Sequence, residues 1–66
     1  MDIIVNGESR RVPDGMTLDR LLAEIGVTEP MVATEVNLAI VPRADRPRTA
    51  LRDGDRVEVV SFVGGG

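Results

Sequence analysis

The stretch T-L-D-R-L-L-A-E-I-G, from Thr17 to Gly26, carries apolar residues at helical spacing: Leu18, Leu21, Leu22 and Ile25 fall at i, i+3, i+4 and i+7. They form one stripe. Thr17 can cap the helix with its hydroxyl, and Asp19 places a negative charge in the first turn, where the helix dipole favours it. Gly26 sits where a C-terminal cap needs a positive φ, and Pro30 blocks resumption. The predicted helix has about two and a half turns, too short to be stable in water alone. Its leucines must therefore be held by packing against something else.

The flanks supply a sheet. Towards the N-terminus, Ile3, Ile4 and Val5 lead into Asn6-Gly7, a dipeptide suited to the two left-handed residues of a type I′ hairpin turn. A second strand is expected over residues 8–12, closed by the turn residues Pro13-Asp14-Gly15. Beyond the helix, Val32, Thr34 and Val36 alternate with Ala33, Glu35 and Asn37 as a third strand. Ile40 and Val41 make a short fourth strand stopped by Pro42. Residues 43–51 are polar, contain Pro47, and are expected to cross as a loop with one helical turn. After the turn Asp53-Gly54-Asp55, residues 56–63 form the last strand, with Val57, Val59, Ser61 and Val63 on one side and Glu58, Val60 and Phe62 on the other. A hairpin, a helix and returning strands make an α+β fold: a mixed four- to five-stranded sheet with one helix packed across it, the β-grasp arrangement.

Composition limits what such a fold can do. The chain has 66 residues, enough for one domain spanning 1–66 that hides only about 60% of its unfolded surface. Ten Val and four Ile favour strands. With no Cys and no His there is no disulfide, thiol nucleophile, imidazole base or ordinary zinc site, which argues against an autonomous enzyme and against a resident metal. All eight basic residues are Arg, the net charge is −3, and Phe62 is the single aromatic, so nucleic-acid binding is disfavoured. No apolar run reaches the roughly 20 residues of a membrane span, and a secretory leader is not recognisable, so a cytoplasmic location is expected.

Four places could carry chemistry or contacts. Gly64-Gly65-Gly66 follows directly on the last strand and reads as a flexible arm without side chains, able to enter a narrow cleft with an ionised α-carboxylate at its end. Such a carboxylate can attack the α-phosphorus of a nucleoside triphosphate; a solvated tail is the alternative. Asp53, Asp55 and Glu58 put three carboxylates within six residues, but D-G-D before a strand is foremost a turn. Arg10 and Arg11 read as a solvated strand face. Val60 and Phe62, opposite the helix if Val57 and Val59 face it, could form an apolar docking patch.

Taken together, V-N-G-E at Val5–Glu8, T-L-x-x-L-L at Thr17–Leu22, V-A-x-E-V-N at Val32–Asn37, I-V-P-R at Ile40–Arg43 and D-G-D-R-V-E-V-V-S-F-V-G-G-G at Asp53–Gly66 resemble the ThiS family, sulfur carriers of thiamine thiazole synthesis. The resemblance spans nearly the whole chain and is most specific in the last fourteen residues. Arg46 departs from it, standing where relatives often carry an aromatic residue. The resemblance implies a ubiquitin-like fold and a carrier cycle. An adenylating enzyme using ATP and magnesium would activate Gly66, a persulfide sulfur donor would convert it to a thiocarboxylate, and thiazole synthase would receive the sulfur. Gly64 and Gly65 match the threading tail, while Val60, Phe62 and Val63 match the partner-binding strand, and no cofactor is expected on the chain itself. Alternatives of the same shape are the small subunit of molybdopterin synthase, a non-catalytic ubiquitin-like binding module, or a protein modifier.

Overall fold

The computed structural model describes residues 1–28 and 31–61. Five strands form one mixed sheet in the order β2-β1-β5-β3-β4. They are β1 at Asp2–Val5, β2 at Glu8–Arg11, β3 at Val32–Val36, β4 at Ala39–Ile40 and β5 at Arg56–Ser61. β1 runs parallel to β5 and antiparallel to β2; β3 is antiparallel to both β5 and β4. One helix, α1 at Leu18–Glu24, packs its leucines into the core that the sheet supplies, so the expected β-grasp holds with five strands. Among the described residues, no helix is long and apolar enough to cross a membrane.

The hairpin forms as its turn demands. Asn6 and Gly7 have φ of 49° and 83°, both left-handed, which matches the right-handed twist of the flanking strands. The core then gathers on one face: Ile3 and Val5 from β1, Val57 from β5, Leu18 and Leu21 from α1, with Val12 and Leu51 closing its ends. Hydrogen bonds seat the helix start, the Leu18 N–H donating to the Thr49 carbonyl at 2.9 Å and the Leu51 N–H to that of Met16 at 2.8 Å.

Several boundaries differ from expectation. The helix has seven residues, about two turns, because Ile25 already leaves helical geometry and Gly26 turns left-handed at φ 82°. The Val27 N–H bonds the Leu22 carbonyl and the Gly26 N–H that of Ala23, the paired bonds of a Schellman cap. Thr17 has the extended backbone of an N-cap but does not cap with its side chain; its hydroxyl donates to the Asp19 carboxylate instead. β2 ends at Arg11 rather than Val12, and β3 at Val36, with Asn37 in the following turn. β4 is displaced by one residue, leaving Val41 outside it, because the tight turn at Asn37-Leu38 pairs Val36 with Ala39 and Glu35 with Ile40.

The largest difference lies in the expected loop. Arg43–Arg48 forms a 3-10 helix laid beside α1, and it buries Arg46, only 8% exposed. The Arg46 Nε donates to the Thr34 hydroxyl at 3.2 Å and its Nη2 to the Val32 carbonyl at 2.8 Å. Thr34, itself buried, passes its own proton to the Val41 carbonyl at 2.8 Å. A guanidinium thus fastens the crossing segment to β3.

Leu38 breaks a local rule. Its φ is 70° and its side chain is 83% exposed, so the strain of a left-handed leucine is offset by no burial. Leu38→Gly should raise stability by about 0.5–1 kcal/mol, the relieved strain exceeding the extra entropy glycine gives the unfolded chain. Thermal unfolding measures this as a Tm several degrees higher; an unchanged or lower Tm would show that the turn is not strained.

Candidate functional site

In the sequence β5 is followed by Phe62, Val63 and then the glycines, so what holds β5 bears on the candidate site. It is a central strand. Along β3 it is paired from Val57 with Val36 to Ser61 with Val32. Along β1 the ladder is short, only Ile4 with Arg56 and Val5 with Val57, before the chain turns away at Asn6. There the Asn6 side chain continues the ladder: its Oδ1 accepts from the Val59 N–H at 2.8 Å and its Nδ2 donates to the Val59 carbonyl at 3.3 Å. A side-chain amide thus takes the place of a backbone peptide. The start of β5 is gripped the same way from the other side, where Asn37 Oδ1 accepts from the Arg56 N–H at 3.0 Å and Nδ2 donates to Asp55 at 2.9 Å.

Reading the chain as a sequence missed both clamps. Asn6 was legible as a turn residue, whereas Asn37 was expected to end the third strand; both have positive φ, and nothing local indicates that their amides reach β5. The D-G-D reading holds. The Asp53 carboxylate accepts from the Asp2 N–H at 2.7 Å, and Asp55 from the Arg52 N–H at 2.8 Å, so both serve the turn. Glu58 lies elsewhere, on β5, and the described residues contain no group of three or more metal-ligating side chains. Arg10 and Arg11 are exposed on the edge strand. Arg11 pairs with Asp2 at 3.1 Å, and this hydrogen bond, reinforced by the guanidinium charge, holds the Asp2 carboxyl below its usual range.

Alternation along β5 separates the two faces. Val57 and Val59, paired with Val36 and Thr34, look towards the helix, while Val60, paired with Ala33, looks away and is 54% exposed. The outer face carries Val60, Ala33 and the 75% exposed Ile40 around two glutamates, Glu35 and Glu58, which stand directly opposite each other. Neither glutamate forms an ion pair among the described residues. Like charges so placed repel, a cost the fold carries on a face it does not bury. The other members of the expected contact set, Phe62, Val63, Gly64, Gly65 and Gly66, lie outside the described residues.

Known proteins match this chain along its length. The model of the ThiS family matches residues 3–66. A sulfur carrier protein ThiS of Thermus thermophilus is 42% identical over 62 residues, covering 94% of this chain and 95% of the relative. A thiazole synthase of Paramagnetospirillum magneticum is 46% identical over all 66 residues, which make up 20% of that protein. A second thiazole synthase, of Magnetococcus marinus, is also matched over 20% of its length, so this chain spans about a fifth of these two curated relatives. A crystal structure of the thiamine biosynthesis protein ThiS of Geobacter metallireducens superposes with a TM-score of 0.86 at 32% identity, each chain covered completely.

The Asn6 clamp is testable by amide exchange. Asn6→Gly retains the turn and removes both bonds, so the Val59 amide should exchange roughly fivefold faster relative to Val57, the effect of losing about 1 kcal/mol of local hydrogen bonding. Asn6→Asp keeps the acceptor and should keep Val59 protected. Equal protection in all three proteins would show that the side chain does not hold the strand.

Proposed function

This chain belongs to the ThiS family of sulfur carriers, and from that membership we propose that it supplies the sulfur for thiazole synthesis through its glycine terminus. The observation that carries the proposal is a central strand held on both sides and clamped by Asn6, with Gly64-Gly65-Gly66 following it in the sequence after Phe62 and Val63. A scaffold that fixes one end of a side-chain-free segment presents the other end to an active site at low cost, because glycine offers nothing to collide with a narrow channel.

In this reading the carboxylate of Gly66 attacks the α-phosphorus of ATP in an adenylating partner, and pyrophosphate leaves with magnesium supporting its charge. The terminal sulfur of a partner's persulfide then displaces AMP from the acyl-adenylate, and a thiol attacks the donor-side sulfur of the resulting acyl disulfide, so that a thiocarboxylate is left on Gly66 and the donor and the thiol are joined as a disulfide. Thiazole synthase takes the sulfur. The ATP and magnesium sites belong to the partner, and the setting is the cytoplasm, where both are abundant. Two relatives named thiazole synthase contain a stretch like this chain, which supports that enzyme as the recipient.

The outer face is the docking surface of this reading, with Val60 as its described apolar anchor, and Phe62, Val63, Gly64 and Gly65 are the further residues that the partner would contact. The repulsion between Glu35 and Glu58 is relieved when the partner brings a cation between them, so the partner surface is apolar with at least one basic side chain.

Incubation with an adenylating enzyme of the family, ATP, magnesium and a persulfide donor should raise the intact mass by about 16 Da as one oxygen becomes sulfur. Removal of Gly66 should abolish the gain, whereas Val60→Asp should slow it at least tenfold while the protein stays folded. No mass gain with a competent partner enzyme would favour a binding module without chemistry at its terminus.

A further inference from the structure

Arg46 has a second side. Its Nε and one donor of Nη2 are satisfied by Thr34 and Val32, but a guanidinium has five N–H donors, and Nη1 has no partner among the described residues. Nor, among the described residues, is there a carboxylate within ion-pair distance of this buried cation. Because no buried polar atom is left unsatisfied, the unpartnered nitrogen keeps contact with solvent. Arg46 lines a cavity of about 380 Å³ between α1 and the 3-10 helix, together with Asp19, Leu22, Val32, Arg43 and Pro47.

The lining combines an apolar wall with a fixed charge. Leu22, Val32 and Pro47 can cover an aliphatic stem, and Arg46 lines the same cavity as a partner for its head group. A guanidinium held by two hydrogen bonds is preorganised, so it loses little freedom on binding an anion, and burial strengthens the attraction. Among the described residues, two arginines and one aspartate give the lining one net positive charge, which suits a monoanion better than a dianion. The volume falls within the roughly 300–1,000 Å³ range of small-ligand sites. We propose that this cavity is a carboxylate-binding site for an acid on a short aliphatic stem, with Arg46 as the anchor and Arg43 as a second cation at the mouth. It is separate from the outer sheet face and does not rest on the sulfur-carrier reading. The carboxylate can come from a free small acid or from a glutamate side chain of another protein.

The test is titration of the intact protein, followed by NMR at constant ionic strength, with butyrate, with glutamate blocked at both ends, and with inorganic phosphate. Saturable shifts are expected at Arg46 Nε–H and at the Leu22 and Val32 methyls for both carboxylates, with phosphate weaker. Tighter binding of blocked glutamate than of butyrate identifies a protein side chain as the source; the reverse identifies a free acid. Arg43→Ala, an exposed change, should weaken binding roughly fivefold, and Asp19→Asn should tighten it roughly threefold by removing a repelling charge. Arg46→Leu should abolish binding, and because it also removes the tie to β3, its fold must be checked in the same spectra. Shifts that do not saturate, that scatter over Arg10 and Arg52, that are strongest with phosphate, or that ignore Arg43→Ala and Asp19→Asn would overturn the proposal.

Discussion

The contact between the leucines of α1 and the inner face of β1 and β5 is the constraint from which the rest of this molecule follows. Leu18, Leu21, Ile3 and Val57 are essentially inaccessible to water, and they belong to one cluster. A two-turn helix does not persist without such burial, and a five-stranded sheet with no helix would expose its apolar face. Each element is therefore stable only in the presence of the other. The apolar residues are too few to build a second core on the other face, so the outer side of the sheet is left to solvent and to partners.

Much of this arrangement is legible in the sequence because the relevant signals are local. The stripe at Leu18, Leu21 and Leu22, the Asn6-Gly7 turn and the alternation along residues 57–60 each follow from the geometry of a single element. The exposure of Val60 was readable too, since period-two alternation places it opposite Val57 once the inner face is known. What could not be read are contacts made across the chain. Asn6 reaches Val59, 53 residues away, and Arg46 reaches Val32 and Thr34, 14 and 12 residues away. Neither has a periodic signature. A polar run with a proline between two strands looks like a loop, and only the tertiary partner turns it into a 3-10 helix with a buried arginine.

Arg46 shows how one side chain sets the character of an inside corner. An aromatic side chain would fill such a site by area and shape alone. A guanidinium fills it with hydrogen bonds, anchoring the crossing segment to β3, while its charge has no counter-ion among the described residues. Burying a lone charge is costly, and the cost is bearable here because the group retains contact with solvent through the cavity. The same incompleteness that makes Arg46 a modest source of stability makes it receptive to an anion.

The two faces of the sheet consequently have different tasks, and β5 connects them. Its inward valines bind the strand to the core, and its outward Val60 and Glu58 belong to a surface that the fold has no need of. For a member of a sulfur-carrier family, a strand that holds its register is an advantage. The pairing of β5 with β3, reinforced at Arg56 by Asn37 and at Val59 by Asn6, provides it. Had β5 been an edge strand, a partner could have paired with its open side and pulled its register, re-aiming the glycines with every encounter. Placing it at the centre removes that freedom from Arg56 to Val59, so the position of the strand in the sheet, more than any single side chain, fixes its register.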